Sequence, residues 1–448
     1  MNVTKLRSKD YLILGSLFFG MLFGAGNLIF PIHLGQLAGQ HWLVAAGGFL
    51  LSGVLLPFLA LLALALTRST GIDGLAKPLG KWPALIFLIV VQTTLGPLFA
   101  TPRTATVSYA IGIAPHIQAH NQRLVLLIYT ALFFTLSYLA MVNASKITDW
   151  IGKYLNPLFL CLLAIIFILA FIHPMGSAKT ATFTATYQNR AFSNGFLEGY
   201  NTMDGLGASI FGVAIITTLR EMGVQDRKTE ALATIRSGLI GISGIAIIYV
   251  GLIWLGATSR HHFSLAANGG TTLAQVAHFY LGTGGDILLA LLTILACITT
   301  GMGLVSAFSQ DFHRLFPKVS YQNFLRLSCG ISFLIANLGL NSIIKWSLPI
   351  LVFLYPLMIA LILLGIVSPH FKQQVLLYRL TTCLTLIPAC FDLVKALPPV
   401  LSQTSWAQML IDFANHYLPL YPIGFAWLPF TLTGLILSWL IVKLPISK

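Results

Sequence analysis

Residues 11–38 read YLILGSLFFGMLFGAGNLIFPIHLGQLA, an apolar run interrupted at Gly24-Ala25-Gly26-Asn27 and again at Pro31. A helix needs about 20 mainly apolar residues to cross the hydrocarbon core, so the interruption falls near mid-membrane. Backbone that leaves helical geometry at that depth costs several kcal/mol per unpaired polar group unless protein or a cavity shields it. The stretch therefore predicts a membrane helix that opens at its centre. The sixth apolar segment repeats the feature, with Asp204-Gly205-Leu206-Gly207 after Glu198 and Asn201.

Outward from these two segments the chain is membrane protein almost throughout. Of its 448 residues, 57% are hydrophobic and 8% charged, against about 25% charged in a soluble domain. No room is left for a large soluble domain. The net charge of +14 would suggest nucleic acid if Lys and Arg formed one patch, but they are scattered between apolar stretches, so no nucleic-acid partner is expected. The five cysteines lack the spacing of a zinc or redox pair and read as packing residues. Lys5, Arg7 and Lys9 before Tyr11 imitate a secretory signal, but the apolar run is too long and is expected to be the first span.

Hydropathy and turn residues predict an all-α integral membrane protein with about twelve helices, at roughly 11–38, 42–67, 82–112, 123–145, 151–173, 195–219, 235–259, 286–310, 323–341, 343–367, 376–397 and 423–443. Charge alternation gives the orientation. With the N-terminus inside, about 19 of 26 Lys and Arg fall on the inner side, about six outside or at span ends, and Arg103 within the third span. Both termini are thus predicted cytoplasmic. Long outer loops are expected near 174–194 and 260–285, with short helices permitted over an outer vestibule.

Spans one to five (11–173) and six to ten (195–367) match in number, and an odd number gives the second set opposite topology. Breaks in helices 1 and 6 then mark an inverted-repeat carrier, residues 1–448 forming one polytopic domain with two further helices in 376–443. Half-helix N-termini suit a carboxylate, and the opposing carbonyls suit a cation or an ammonium. An amino acid carries both charges. The competing reading of the glycines is close helix packing, which Gly20-x-x-x-Gly24 fits.

Three longer motifs then resemble the bacterial branched-chain amino acid:cation symporters: Gly24-Ala25-Gly26-Asn27-Leu28-Ile29-Phe30-Pro31, Pro102-Arg103-Thr104-Ala105-Thr106-Val107-Ser108, and Gly195-Phe196-Leu197-Glu198-Gly199-Tyr200 with Thr202-Met203-Asp204. The resemblance implies a LeuT-like 5+5 inverted repeat plus two C-terminal helices in the bacterial cell membrane, and sodium-coupled uptake of leucine, isoleucine and valine. Departures from the family pattern are Ile32 in place of a second proline, Ala110 in place of an acidic residue, and Asn201 and Gly205 in place of apolar residues.

For the coupling ion, the i, i+3, i+4 spacing of Ala296, Thr299 and Thr300 puts one carbonyl and two hydroxyls on one helical face. Hard cations take such oxygens, although membrane threonines more often bond their own i−4 carbonyl. The resemblance adds first-helix carbonyls, here Gly20 and Phe23, to the sodium set. Substrate-binding residues are expected at Gly24, Ala25, Gly26, Asn27, Ser108, Tyr109, Tyr200, Met203, Asp204, Gly205 and Gly207, with Ser108 and Tyr109 reaching the substrate carboxylate and Met203 and Phe211 facing its side chain. Asp204 reads either as a cation, ammonium or proton site or as an N-cap for the helix resuming at Gly205. Arg103 reads either as a partner in a structural ion pair or as a residue beside the inner cavity, with direct substrate contact the alternative to the ion pair. No metalloprotease, nucleophile-elbow or nucleotide-loop motif occurs, so no enzyme, cofactor or obligate protein partner is expected. A proton-coupled carrier or exchanger, and a receptor without transport, are the competing functions.

Overall fold

A computed structural model describes residues 6–69, 71–142, 147–224, 226–368 and 374–443. Within them, nothing is said of the side chains of Ala25, 147–156, Arg227, Lys228, Val442 and Lys443. Lys5, Lys146, Lys372 and Lys448 from the inner-side charges, and the end of the fourth expected span, lie outside the described residues.

Among the described residues the architecture is helical, without a strand. The chain forms α1 (Ser8–Leu22), α2 (Ala25–Ala38), α3 (Trp42–Leu50), α4 (Leu56–Thr67), α5 (Ile72–Ala76), α6 (Lys81–Thr93), α7 (Ala100–Gly112), α8 (Gln122–Val142) and α9 (Ile147–Ile172). There follow α10 (Ala191–Tyr200), α11 (Asp204–Glu221), α12 (Arg227–Ser259), α13 (Gly269–Leu315), α14 (Tyr321–Ala336), α15 (Leu340–Val367), α16 (Gln374–Ala396), α17 (Pro399–Ser402), α18 (Ser405–Tyr417) and α19 (Trp427–Lys443).

Among the described residues, seven helical stretches are long and apolar enough to cross a membrane, or eight if the bent pair of α10 and α11 is one span. Each expected span overlaps a helix or a helix pair. Wide π-turns at Leu51–Leu55 and Thr94–Leu98 join α3 to α4 and α6 to α7. At the second, Pro97 has no N–H to donate and Gly96 leaves helical geometry (φ −78, ψ −117). Where a long outer loop was expected, α13 already begins at Gly269. Its N-cap Asn268 accepts the Thr271 N–H at 3.1 Å, and a left-handed Gly282 (φ 59) bends the helix before the expected span.

Small residues hold the two broken segments against their neighbours. A Cβ on Gly35 would lie 2.0 Å from the Ile253 carbonyl oxygen, and one on Gly256 would lie 1.9 Å from that of Ile32, so α2 and α12 touch backbone to backbone. Gly48 and Gly195 do the same for α3 and α10, each Cβ position lying 2.0 Å from a carbonyl oxygen of the other helix. Outside this core, α16 docks on α19 through the Thr385–Thr431 hydroxyl bond of 2.8 Å and through Gly434, whose Cβ would reach within 2.6 Å of the Thr381 Cα. Large apolar side chains such as Phe171 (82% exposed) and Ile247 (70%) face outward, as expected of a surface solvated by lipid.

Candidate functional site

The first break follows from where one N–H goes. Gly24 donates to Asn27 Oδ1 at 2.9 Å, and the Asn27 N–H turns to the Gly24 carbonyl at 3.2 Å. The Gly20 and Phe23 carbonyls thereby lose their usual i+4 donors. At the second break the N–H groups of Asn201, Thr202 and Met203 reach only three residues back, at 3.0, 3.2 and 3.0 Å. Met203 then takes the left-handed conformation (φ 62, ψ 11), and α11 leaves at 44° to α10. Such a conformation costs a non-glycine residue on the order of 1–3 kcal/mol, and surrounding contacts must hold it.

The two breaks meet. Asn27 Nδ2 donates to Asp204 Oδ2 at 2.8 Å, the Tyr249 hydroxyl donates to the same oxygen at 2.6 Å, and the Asn27 amide also contacts that hydroxyl. All three side chains are buried. Asp204 sits in the first turn of α11, where the helix dipole favours a carboxylate. The N-cap expectation is corrected here, because Met203 occupies the cap position and the Asp204 carboxylate is turned towards α2 and α12.

Beside this junction lies a cavity of about 60 Å³. That is room for about two waters. Gly24, Gly26 and Asn27 line it from the first break, and Thr202, Met203, Asp204 and Gly207 from the second. Met21, Leu22, Leu95, Phe211 and Leu304 supply apolar walls. Ala100, Arg103 and Thr104 of α7 and Thr300 of α13 complete it.

Arg103 does not form the expected ion pair. Among the described residues no carboxylate lies within 4.0 Å of it. Its Nη1 instead donates to the Asn201 carbonyl freed at the second break, its Nη2 to Ser347 Oγ at 3.1 Å, and its guanidinium lies 4.9 Å from the Phe30 ring centroid.

Of the expected substrate residues, Gly24, Gly26, Asn27, Met203, Asp204 and Gly207 are brought together, while Ala25 has a described backbone only. Ser108 and Tyr109 are not among them. The Ser108 hydroxyl bonds Tyr129 (2.7 Å) and the Thr104 carbonyl (2.9 Å); Tyr109 donates to the Gln122 carbonyl (2.9 Å) and faces a separate cavity of about 1110 Å³, which Ala110 also lines. Tyr200 stacks on Tyr355 (4.1 Å, 11°), and Gly205 lies under that ring, its Cβ position 3.0 Å from Tyr355 Cε1. With Glu198 and Asn201, Tyr200 borders a third cavity, of about 420 Å³, against α15 and α16.

The expected sodium ligands divide. Phe23 and Ala296 border a void of about 10 Å³, and Thr300 packs against Gly24 in the cavity wall. The Thr299 and Thr300 hydroxyls both donate to the Ala296 carbonyl at 2.9 Å, the bonding pattern that membrane threonines commonly adopt. Their lone pairs and the Gly20 and Phe23 carbonyls are oxygen donors of the kind a hard cation takes. Sequence reasoning missed Tyr249 as a partner of Asp204. Its signal was a lone tyrosine inside the apolar run from Ile245 to Leu255, away from any interface belt.

The chain is similar to known proteins both in sequence and in fold. The family described as branched-chain amino acid transport protein matches residues 7–444. Similar curated proteins include the branched-chain amino acid permease BraB of Bacillus subtilis, 38% identical over 97% of this chain and 95% of that protein. The permeases BrnQ of Lactobacillus delbrueckii subsp. lactis (37%, covering 99% of each chain) and of Escherichia coli strain K12 (37%, covering 97% and 96%) are further examples. Among solved structures, Mhp1, a nucleobase-cation-symport-1 family transporter in a closed conformation with bromovinylhydantoin bound, aligns with a TM-score of 0.62 at 13% identity, over 98% of this chain and 94% of that one. An inward-facing Mhp1 structure gives 0.61. At that identity the likeness concerns the fold, which is of the LeuT-like kind.

Proposed function

This chain belongs to the branched-chain amino acid transport protein family, and from that premise we propose that it is a secondary active symporter importing leucine, isoleucine and valine with sodium by alternating access. The proposal includes twelve spans in the bacterial cell membrane, both termini cytoplasmic, and a 5+5 inverted repeat with two C-terminal helices. The observation that carries it is the Asn27–Asp204 bond, which joins two interrupted helices around one cavity. A receptor or structural protein has no need of paired mid-membrane breaks.

The cavity of about 60 Å³ is far below the ~300 Å³ at the lower end of ligand pockets. Substrate entry therefore requires the breaks and α7 to move apart. Sodium is favoured by the Gly20 and Phe23 carbonyls, which have lost their helical donors at the break whose Gly24 packs against Thr300. One sodium moving through 100 mV yields about 2.3 kcal/mol, and a tenfold gradient adds about 1.4 kcal/mol. Together they support accumulation of roughly several hundred-fold.

A proton-coupled carrier is the second reading, favoured by the capture of the Ala296 carbonyl by both threonine hydroxyls and by a mid-membrane carboxylate at the cavity. Uptake of [³H]leucine into proteoliposomes, with sodium replaced by choline at a fixed pH gradient, separates the two. Uptake is expected to require sodium and to fall about tenfold in Thr300→Ala, the loss of one ion–oxygen contact of about 1.4 kcal/mol. Indifference to sodium sinks the sodium assignment.

A further inference from the structure

We propose that Arg103 is the receptor for the substrate's carboxylate, so that the amino acid lies with that group against α7 and its ammonium towards Asp204; the inference rests on the amino acid transport reading above. The starting observation is an uncompensated charge. Arg103 is 3% exposed, and no described carboxylate lies within 4.0 Å of it. A mid-membrane cation without a partner is costly and usually functional.

Its bonding leaves donors free. A guanidinium has five N–H groups; here one goes to the Asn201 carbonyl and one to Ser347 Oγ, and Nε is buried with no partner. Phe30 covers one face of the group, and the residue lines the cavity between the breaks. A planar fork with unused donors matches a carboxylate bidentately.

Several of the other expected carboxylate receptors are engaged elsewhere, Ser108 with Tyr129 and the Thr104 carbonyl, and Tyr109 with the Gln122 carbonyl. At the start of α2, Asn27 Oδ1 holds the Gly24 N–H, and the first turn of α11 carries the Asp204 carboxylate itself, which would repel a second one. One small cavity therefore has Arg103 and Asp204 in its wall, with Met21, Leu95, Phe211 and Leu304 supplying apolar surface. That is the complement of a zwitterion with an apolar side chain. The substrate supplies the directly contacting carboxylate that Arg103 lacks, and the Nη1 bond to Asn201 links carboxylate binding to the geometry of the second break.

The test compares leucine with leucinol, which has a hydroxymethyl group in place of the carboxylate, by fluorescence titration of the purified protein. Wild type is expected to prefer leucine by about 10- to 150-fold, the range for a hydrogen bond to a charged group. In Arg103→Gln this preference is expected to collapse to within about threefold while leucinol binding holds, with Arg103→Lys intermediate because an ammonium lacks the fork. Equal weakening of both ligands in Arg103→Gln makes the arginine structural and overturns the proposal. A wild type that binds leucinol as tightly as leucine overturns it without any variant. Failure of wild type to bind leucine, isoleucine and valine alike removes the transport reading instead.

Discussion

The two helix interruptions solve one problem in opposite ways. The break between α1 and α2 is closed from within, by the Asn27 side chain on the Gly24 N–H. The break between α10 and α11 is held from without: Arg103 of α7 takes the Asn201 carbonyl, and Tyr355 of α15 packs beneath Gly205. Thr202 adds a weaker local contact, accepting the Asp204 N–H at 3.3 Å. The first break thus depends on one residue of its own helix, whereas the second is tied to helices on two sides. Asn27 is also the link between them, since its amide group both caps the first break and donates to Asp204.

If that division holds, the largest effect belongs to the shared acceptor. Asp204→Ala removes the oxygen that both Asn27 Nδ2 and Tyr249 bond and leaves two buried donors unpaired, at about 1–3 kcal/mol each. Leucine uptake should fall to the level of empty liposomes, with a lowered melting temperature in detergent. Retention of more than a tenth of wild-type uptake breaks the claim that the two interruptions are coupled through this carboxylate.

The next effect separates the breaks. Asn27→Ala frees the Gly24 N–H, keeps only the backbone bond to the Gly24 carbonyl, and removes one bond to Asp204 and the contact with the Tyr249 hydroxyl, while Tyr249 keeps the other bond to Asp204. Uptake is expected to drop about 10- to 150-fold, the value of a bond to a charged group. Thr202→Val at the second break loses only the long contact to the Asp204 N–H and its own bond to Gly199, while Arg103 still holds the Asn201 carbonyl. Its loss should stay under about tenfold, matching a net hydrogen bond of roughly 0.5–1.5 kcal/mol. Equal losses in parallel uptake assays would erase the distinction.

How much of this was legible in the sequence follows the same division. The first break could be read in place, because Gly24 to Asn27 contains both the flexible backbone and the side chain that caps it. The helical class was legible too, from apolar runs whose length the bilayer dictates. The tether of the second break was not, because a motif fixes which residues share a helix but not how the helix is placed along its axis. The α7 motif was placed about one turn out: Ser108 was expected at the substrate, but Thr104, four residues or roughly 6 Å earlier, lines the cavity. For Arg103 an ion pair was favoured over substrate contact because buried charges are usually paired. Its carbonyl partner sits in a segment nearly a hundred residues away, and no spacing rule reaches that far.

The smallest effect tests whether the first break also senses the ion. A Cβ on Gly24 would stand 3.1 Å from Thr300 Cγ2 and 3.5 Å from Thr300 Oγ1. Gly24 is extended (φ −129, ψ −166), a conformation open to alanine, so Gly24→Ala acts through contact and not through backbone strain. The threonine must yield by a few tenths of an ångström, which displaces the hydroxyl that the proposed sodium site uses. A few-fold rise in the sodium concentration for half-maximal uptake is expected, worth about 1 kcal/mol or less, with little change in melting temperature. Thr300→Ser keeps the hydroxyl and deletes the methyl that is in the way, so the double variant Gly24→Ala/Thr300→Ser should regain wild-type sodium dependence. The cycle reads a coupling between two residues in contact, and additive effects would mean that the first break and α13 act independently, leaving the Gly24–Thr300 contact as packing alone.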